Sequence, residues 1–279
     1  MRSKGSKKGT RLKPNKHNLD EWERSWLEHW SKAGTKGYEL PKIGPAGEEA
    51  AFLTEVRSPE KEMKRLERIQ QEFVRGFRGL YDLGPAVTVF GSARFKEQHP
   101  YYKLARAVAQ ELARTGFATL TGGGPGIMEA ANRGAFEAGG TSYGLNIVLP
   151  HEQAPNPYIT PSLNFEFHYF FMRKLWFAYL SKALVVFPGG FGTIDEMFEI
   201  LTLTQTEKLA KKITVVVYGS DYWKRVFNIQ ALVDTGAISP DDVELFQYAD
   251  TPEEAFECLK KGLTENYPVS YTHLTLPTN

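Results

Sequence analysis

The chain has 279 residues, of which 42% are hydrophobic and 24% charged, and its net charge is +1. These values suit one soluble α/β domain of up to about 200–250 residues with appended segments. No apolar run in the sequence reaches the length of about 20 residues that a membrane span needs. The single cysteine, Cys258, excludes an internal disulfide. The charged N-terminus has no apolar signal-peptide core, so we expect a reducing, cytoplasmic location.

The charge is unevenly distributed along the chain. Residues 1–16 carry seven Lys or Arg and no acidic side chain, which leaves 27 basic and 33 acidic residues in the rest. We interpret residues 1–16 as a basic, disordered tail, with contact to nucleic acid or an anionic surface as the alternative. The mildly acidic remainder argues against a nucleic-acid-binding domain.

Residues 17–83 are predicted to form a helical N-terminal extension with a linker. Trp22, Trp26 and Trp30 make a stripe typical of packing against the main domain or a partner subunit. Residues 33–58 are rich in glycine and proline and predict the linker. Apolar residues at three- and four-residue steps predict a second helix over 60–82: Met63, Leu66, Ile69, Phe73, Phe77 and Leu80.

Residues 84–265 show alternating strand and helix patterns. Strands are predicted over 86–90, 117–120, 141–149, 183–187 and 213–218, and helices over 101–115, 127–138, 168–181, 194–209, 221–234 and 252–263. Short, continuously apolar strands that alternate with helices predict a Rossmann-like, doubly wound parallel sheet. Ligands bind such sheets at the carboxyl ends of the strands. Three glycine turns fall there: Gly91-Ser92, Gly122 to Gly126 and Gly189 to Gly192.

The segment 266–279 is predicted to be a tail outside the domain. Its last eleven residues hold no formal charge and no clear structural period. We interpret them as a translated cloning or sequencing adapter. A native, poorly ordered tail is the alternative.

The turn after the strand over 183–187 has the pattern of a phosphate cradle. Glycines let the backbone approach an anion closely, and the first N–H groups of the following helix then point at it. Thr193 either caps this helix or donates its hydroxyl to a phosphate. Glu196, one turn into the helix, suits contact with ribose, orientation of a water or stabilisation of charge at the anomeric carbon. A simple helix-dipole role fits Asp195 better. The predicted phosphate contacts are Gly189, Gly190, Gly192 and Thr193.

The earlier glycine turns and one basic helix add further candidates. The turn over 122–126 lacks the third glycine and the distal acid of the dinucleotide fingerprint, so we predict neither NAD nor another cofactor. Contact with the ribose or base of a mononucleotide competes there with a purely structural tight turn. Arg173 offers a planar fork to phosphate or base, with a solvated surface cation as the alternative. The remaining predicted substrate contacts are Gly91, Ser92, Gly123, Gly124, Gly126, Met172 and Lys174.

Three motifs in order resemble the Lonely Guy (LOG) family of nucleoside 5′-monophosphate phosphoribohydrolases. They are the glycine turn over 122–126, Met172-Arg173-Lys174, and the P-G-G-F-G-T-x-x-E segment over 188–196. The resemblance runs from about Pro85 to Lys261. Members are often labelled lysine decarboxylase, but nothing in this sequence marks a pyridoxal lysine. About 80 extra N-terminal residues and Phe170-Phe171 before the second motif depart from the short plant-like members.

The resemblance implies hydrolysis of the N-glycosidic bond of a cytokinin ribotide or AMP, giving free base and ribose 5-phosphate. It implies Arg173 and Glu196 as the catalytic pair, the 189–193 turn as the phosphate site, and Thr202 as a further polar contact. It also implies a homodimer or larger homo-oligomer. From the residues themselves we expect no metal, since no His, Cys or Asp cluster has ligand spacing, and no membrane or nucleic-acid partner. Two alternatives stay open: a non-enzymatic nucleotide or cofactor carrier, and a general nucleotide-salvage nucleosidase.

Overall fold

The computed structural model describes residues 59–80, 83–149 and 154–267. The predicted basic tail, the tryptophan stripe of the N-terminal extension, the linker and the adapter-like last eleven residues lie outside these residues. Within the described part of the chain, no helix is both long and apolar enough to cross a bilayer.

Within the described residues, seven strands form one sheet in the order β4-β3-β2-β1-β5-β6-β7. Every neighbouring pair is parallel, which confirms the predicted doubly wound fold. The strands are β1 (Ala86–Phe90), β2 (Ala118–Thr121), β3 (Ser142–Ile147), β4 (Asn164–Phe167), β5 (Ser181–Val186), β6 (Thr214–Tyr218) and β7 (Gln247–Ala249).

Helices cover both faces of this sheet. On one face α2, α3 and α8 pack against the sheet. On the other face α1, α4, α5 and α6 form a second core, to which the last three contribute Trp176, Met197 and Trp223. The helices are α1 (Pro59–Gly79), α2 (Pro100–Arg114), α3 (Ile127–Glu137), α4 (Phe170–Leu180), α5 (Phe191–Gln205), α6 (Ser220–Val226), α7 (Ile229–Asp234) and α8 (Pro252–Asn266).

Burial on both faces explains why the strands are continuously apolar. In β1, Val87 and Val89 enter one core, whereas Ala86 and Phe90 enter the other. A strand between two helical layers therefore needs apolar side chains at every position. This is the pattern from which the five interior strands of the sheet were predicted.

Four elements differ from the sequence expectation. The edge strands β4 and β7 were not predicted, because they are short and exposed or half-buried positions interrupt their apolar pattern. The helix predicted over 221–234 is two helices. The backbone is extended at Phe227, which ends α6, and the Asn228 side chain then accepts the Ala231 N–H as the N-cap of α7. Helix α8 extends to Asn266, so the predicted tail does not begin at residue 266.

The strand order places one opening at the centre of the sheet. The chain leaves β1 for β2, β3 and β4, and then returns to β5 on the other side of β1. The loops after β1 and β5 therefore diverge to opposite faces. A crevice at such a reversal, outside the carboxyl ends of the strands, is where ligands bind in this class of fold.

Candidate active site

A cavity of about 770 Å³ lies at the carboxyl ends of β1 and β5. Its walls are the loop after β1, the turn and first helical residues after β5, Arg173 of α4, Met128 of α3 and Tyr222 of α6. The two loops are joined directly, because the Ser92 N–H donates to the Pro188 carbonyl at 3.0 Å. Predicted residues that line this cavity are Gly91, Ser92, Arg173, Gly189, Gly190, Gly192, Thr193 and Glu196.

Helix α5 begins at this cavity without a side-chain cap. Its N-cap is Gly190, whose carbonyl accepts the N–H groups of Thr193 and Ile194 at 3.0 Å each. Thr193 is thus the third helical residue, so it does not cap the helix, which was one of the two roles expected for it. The first N–H groups of a helix have no partner within the helix. Because the Thr193 N–H already donates to Gly190, the N–H groups of Phe191 and Gly192 are the ones that this helix leaves for an anion.

The glycines of this turn have different structural demands. A Cβ at Gly189 would collide with Oγ1 of Thr193, so the close approach of these two residues requires glycine. A Cβ at Gly190 or Gly192 would meet no protein atom within 4 Å. Tyr222 fixes the turn from the other side, since its hydroxyl donates to the Gly189 carbonyl at 2.7 Å. The turn is held in place, and the space beside Gly190 and Gly192 stays open.

Arg173 and Glu196 meet at the floor of the cavity. Nη2 of Arg173 lies 3.4 Å from Oε1 of Glu196, and the two side chains are 12% and 5% exposed. Burial raises the pKa of Glu196 to about 7, against the opposing effect of Arg173 and Lys174. Burial also lowers the pKa of Arg173, against the effect of Glu196 and Asp195. The site therefore holds a desolvated cation beside a carboxylate that titrates near neutrality.

Aromatic rings support the Arg173 guanidinium. Its central carbon lies 5.2 Å from the ring centroid of Phe170 and 5.8 Å from that of Phe177. Among the described residues, Nε of Arg173 is buried with no hydrogen-bond partner. A Cβ at Gly122 would lie 2.9 Å from Sδ of Met128 and in ordinary contact, at 3.7 Å, with Nη1 of Arg173. Arg173 thus keeps hydrogen-bonding capacity that the protein itself does not use.

Six predicted substrate contacts lie away from the cavity lining, namely Met172, Lys174 and Thr202 of the helices and Gly123, Gly124 and Gly126 of the turn over 122–126. Met172 is fully buried in the core that α4 shares with the sheet. Lys174 forms ion pairs with Asp195 at 2.8 Å and Glu199 at 2.7 Å, which also gives Asp195 a partner besides the helix dipole. Thr202 is exposed further along α5. Contact of these residues with substrate stays a prediction that this geometry does not favour.

The turn over 122–126 supports the first loop. Gly126 has a φ of +74°, and a Cβ there would collide with the Ser92 carbonyl, which also accepts the Ile127 N–H at 3.1 Å. Gly123 has a φ of +72° and packs against Asn146. The Asn156 amide donates to the carbonyls of Gly123 and Gly124 at 3.1 Å each. The structural alternative therefore accounts for Gly123 and Gly126, and a substrate contact by these glycines stays a prediction.

Sequence reasoning missed several residues of the cavity. Arg94 and Phe95 follow the first glycine turn, and Ser92 Oγ accepts the Arg94 N–H at 3.2 Å. Phe191 lies at the rim of the cavity and is 93% exposed. A basic residue two positions after the Gly91-Ser92 turn, at the ligand-binding edge of the sheet, could have predicted Arg94 as an anion contact. The others to be added are Phe90, Met128 and Tyr222.

Comparison with known proteins matches the part of the chain that contains this site. The family model described as possible lysine decarboxylase matches residues 128–259, a range that contains Arg173 and Glu196. A cytokinin riboside 5′-monophosphate phosphoribohydrolase of Rhodococcoides fascians is 29% identical over 160 residues, covering 56% of this chain and 79% of that protein. A protein of the same name from Arabidopsis thaliana is 26% identical over 177 residues, covering 62% of this chain and 76% of the relative.

Among solved structures, a molybdenum cofactor carrier protein from Chlamydomonas reinhardtii is 21% identical with a TM-score of 0.44, covering 64% of this chain and 98% of the carrier. The family model and the curated relatives together confirm the resemblance of this chain to the Lonely Guy family.

Proposed function

We propose that this protein hydrolyses the N-glycosidic bond of a purine nucleoside 5′-monophosphate, of cytokinin type or AMP. Water adds to the anomeric carbon, the bond to the base breaks, and the base leaves with a proton. The products are the free base and ribose 5-phosphate. The observation that carries the proposal is the buried Arg173–Glu196 pair in one cavity with an uncapped helix N-terminus.

The 5′-phosphate binds at the beginning of α5. The N–H groups of Phe191 and Gly192 and the Thr193 hydroxyl are its donors, and the open space at Gly190 and Gly192 admits it. Binding energy from the phosphate, which does not react, orients the ribose against Glu196. Because Glu196 lies one turn further along the same helix, anchor and reacting group have a fixed spacing.

Glu196 contacts the ribose and stabilises positive charge at the anomeric carbon as the bond to the base breaks. A carboxylate stabilises such an oxocarbenium-like centre in sugar hydrolysis generally. Arg173 stabilises charge on the departing base or at the reacting centre. A preorganised ion pair that excludes water exerts a stronger field on developing charge than it would in solvent.

The remaining walls suit a purine. Phe90, Phe95 and Met128 supply apolar surface, and the cavity volume of about 770 Å³ falls in the range of about 300–1,000 Å³ found for small-molecule sites. A flat, largely apolar base fits such walls, and the open rim at Phe191 admits a substituted one. The homo-oligomer implied by the family resemblance is part of the proposal, and light scattering of the purified protein measures it.

Incubation of the purified protein with AMP and with N6-isopentenyl-AMP, followed by chromatography for free base, tests this function. Release of base from either nucleotide supports it, and the ratio of the two rates separates cytokinin production from purine salvage. Glu196→Gln is the control for contaminating hydrolases. Tight binding of both nucleotides without release of base would overturn the proposal in favour of a carrier.

A further inference from the structure

Helix α1 of the N-terminal extension packs directly on α4, the helix that carries Arg173. A Cβ at Gly76 would collide with the Trp176 indole, so glycine at this position lets the two helices meet closely. Phe77 adds an edge-to-face contact with Trp176, with ring centroids 5.1 Å apart. Trp176 lies three residues beyond Arg173 on the same helix. The extension is therefore in contact with the scaffold of the candidate catalytic pair.

Glu72 is the buried acidic residue of this contact. It is only 3% exposed, and its Oε1 accepts the backbone N–H of His168 at 2.7 Å. Burial raises the pKa of the Glu72 carboxyl to about 7, against the effect of the His168 and Tyr169 backbone N–H groups and of the cations Arg68 and Arg75. His168 and Tyr169 are the two residues that precede α4. A carboxylate from another helix thus holds the backbone where α4 begins.

The beginning of α4 has no such group of its own. Its N-cap, Tyr169, makes no side-chain capping bond. In a capping box, an acidic residue at the third helical position accepts the N–H of the N-cap residue. Here that position is Met172, whose apolar side chain cannot accept a hydrogen bond. Glu72 supplies from α1 the acceptor that the local sequence of α4 lacks.

We propose that Glu72 is a positioning residue for Arg173: it fixes the first turn of α4 so that the guanidinium faces Glu196. Arg173 makes the first backbone bond of this helix, to the Tyr169 carbonyl at 3.3 Å, so fraying at Tyr169 displaces it directly. The phosphate turn belongs to α5 and has none of these contacts. This inference rests on the proposed hydrolase function for its kinetic readout.

Kinetics of Glu72→Leu, Glu72→Gln and Glu67→Leu in the full-length protein test the inference. Leucine removes the acceptor, glutamine keeps one amide oxygen in the same shape, and Glu67 is an exposed glutamate on the same helix. We expect kcat for AMP to fall about 10- to 100-fold in Glu72→Leu, as for a misplaced catalytic group. KM should stay within about twofold, because uniform binding is retained. Glu72→Gln should keep most of kcat, and Glu67→Leu all of it.

Hydrogen–deuterium exchange of the same variants provides a readout that does not depend on activity. Amides over 168–174 should exchange faster in Glu72→Leu than in the wild type, whereas amides over 189–196 should not change. If Glu72→Leu does not fold, Glu72→Asp withdraws the carboxylate while keeping its charge and should lower kcat with KM unchanged.

Unchanged exchange over 168–174, an equal loss of kcat in Glu72→Gln, or wild-type kcat in the folded variant that lacks the contact would each overturn the inference. A wild-type protein that releases no base would instead overturn the proposed function. The exchange experiment would still decide whether Glu72 orders the start of α4.

Discussion

Arg173 and Glu196 come from the helices that precede and follow β5 in the chain, and Nη2 of Arg173 lies 3.4 Å from Oε1 of Glu196. The contact is a single long one, and the Arg173 Nε has no hydrogen-bond partner among the described residues. Two buried charges that are only loosely paired are costly to keep. Such a pair is suited to exchange part of its mutual contact for a substrate. The unit α4-β5-α5 alone therefore supplies both members of the pair and the anion-binding turn.

Glu196→Gln should leave the fold intact and lower kcat by about 10²- to 10⁴-fold, the range for loss of a positioned catalytic group. Asp195→Asn is the matched control, because Asp195 is the adjacent carboxylate and is 56% exposed in its pair with Lys174. Chromatographic assay of adenine release and thermal unfolding of both variants measure the two effects. Full activity in Glu196→Gln would contradict the assignment.

The pH dependence of kcat/KM should follow the ionisation of Glu196. Burial raises its pKa to about 7. If the ionised carboxylate stabilises the sugar cation, activity rises with pH through neutrality and levels off above about pH 8. The second pKa of a phosphate group is about 6, so binding of ribose 5-phosphate to Glu196→Gln across the same range provides the correction. Activity that falls above pH 7 would show instead that Glu196 acts as an acid.

The part of the site that the sequence predicted is local in the chain. The turn after β5 follows a buried strand and opens a helix, so residues 188–196 carry their own signal. Arg173 was found through its place in the helix before that strand. The structure then showed that the two segments converge, which spacing alone does not establish.

The structural roles that the sequence did not reveal depend on contacts between distant segments. Glu72 is one of many polar residues on an amphipathic helix, and only the packing of α1 on the start of α4 buries it. Gly126 has the sequence pattern of a ligand turn, but its conformation serves the approach of the Ser92 loop. The partner that decides the role of each residue lies 34 or more positions away in the chain, outside any periodic window.

Gly189→Ala should lower stability, whereas Gly190→Ala should weaken substrate binding. A methyl group at 189 collides with Thr193, so we expect a stability loss of about 1–3 kcal/mol, typical of overpacking. A methyl group at 190 meets no protein atom within 4 Å but narrows the proposed phosphate site, so stability should hold while KM for AMP rises. Thermal unfolding and steady-state kinetics separate the two. A Gly190→Ala protein with wild-type KM would place the phosphate elsewhere.

Arg94→Ala should raise KM for AMP about 3- to 30-fold and change kcat much less. Arg94 is a second cation on the cavity wall, and a hydrogen bond to a charged group contributes about 1.5–3 kcal/mol. Because Arg94 is exposed, screening by solvent reduces this to about 0.7–2 kcal/mol. Lys96→Ala is the control, because Lys96 is an exposed cation two residues further along the same loop. Isothermal titration with ribose 5-phosphate measures the phosphate contribution alone. Equal effects of the two substitutions on KM would mean that Arg94 acts only through the general surface charge and makes no specific contact with the phosphate.

Glu72→Gln should stabilise the protein relative to the wild type as the pH rises. Burial raises the pKa of the Glu72 carboxyl from 4.5 to about 7, against the effect of Arg68, Arg75 and the His168 and Tyr169 N–H groups. The folded wild type therefore holds a proton that the unfolded chain has lost, and its free energy of unfolding falls as the pH increases through this interval.

Between pH 5.5 and 8 the difference between the two proteins should shift by about 2 kcal/mol in favour of glutamine, since one pKa unit corresponds to about 1.4 kcal/mol. Urea denaturation of both proteins at the two pH values measures this shift. The contribution of Glu196 is common to both and cancels. A difference that does not vary with pH would mean that Glu72 keeps its charge throughout, held by Arg68 and Arg75 as an ion pair.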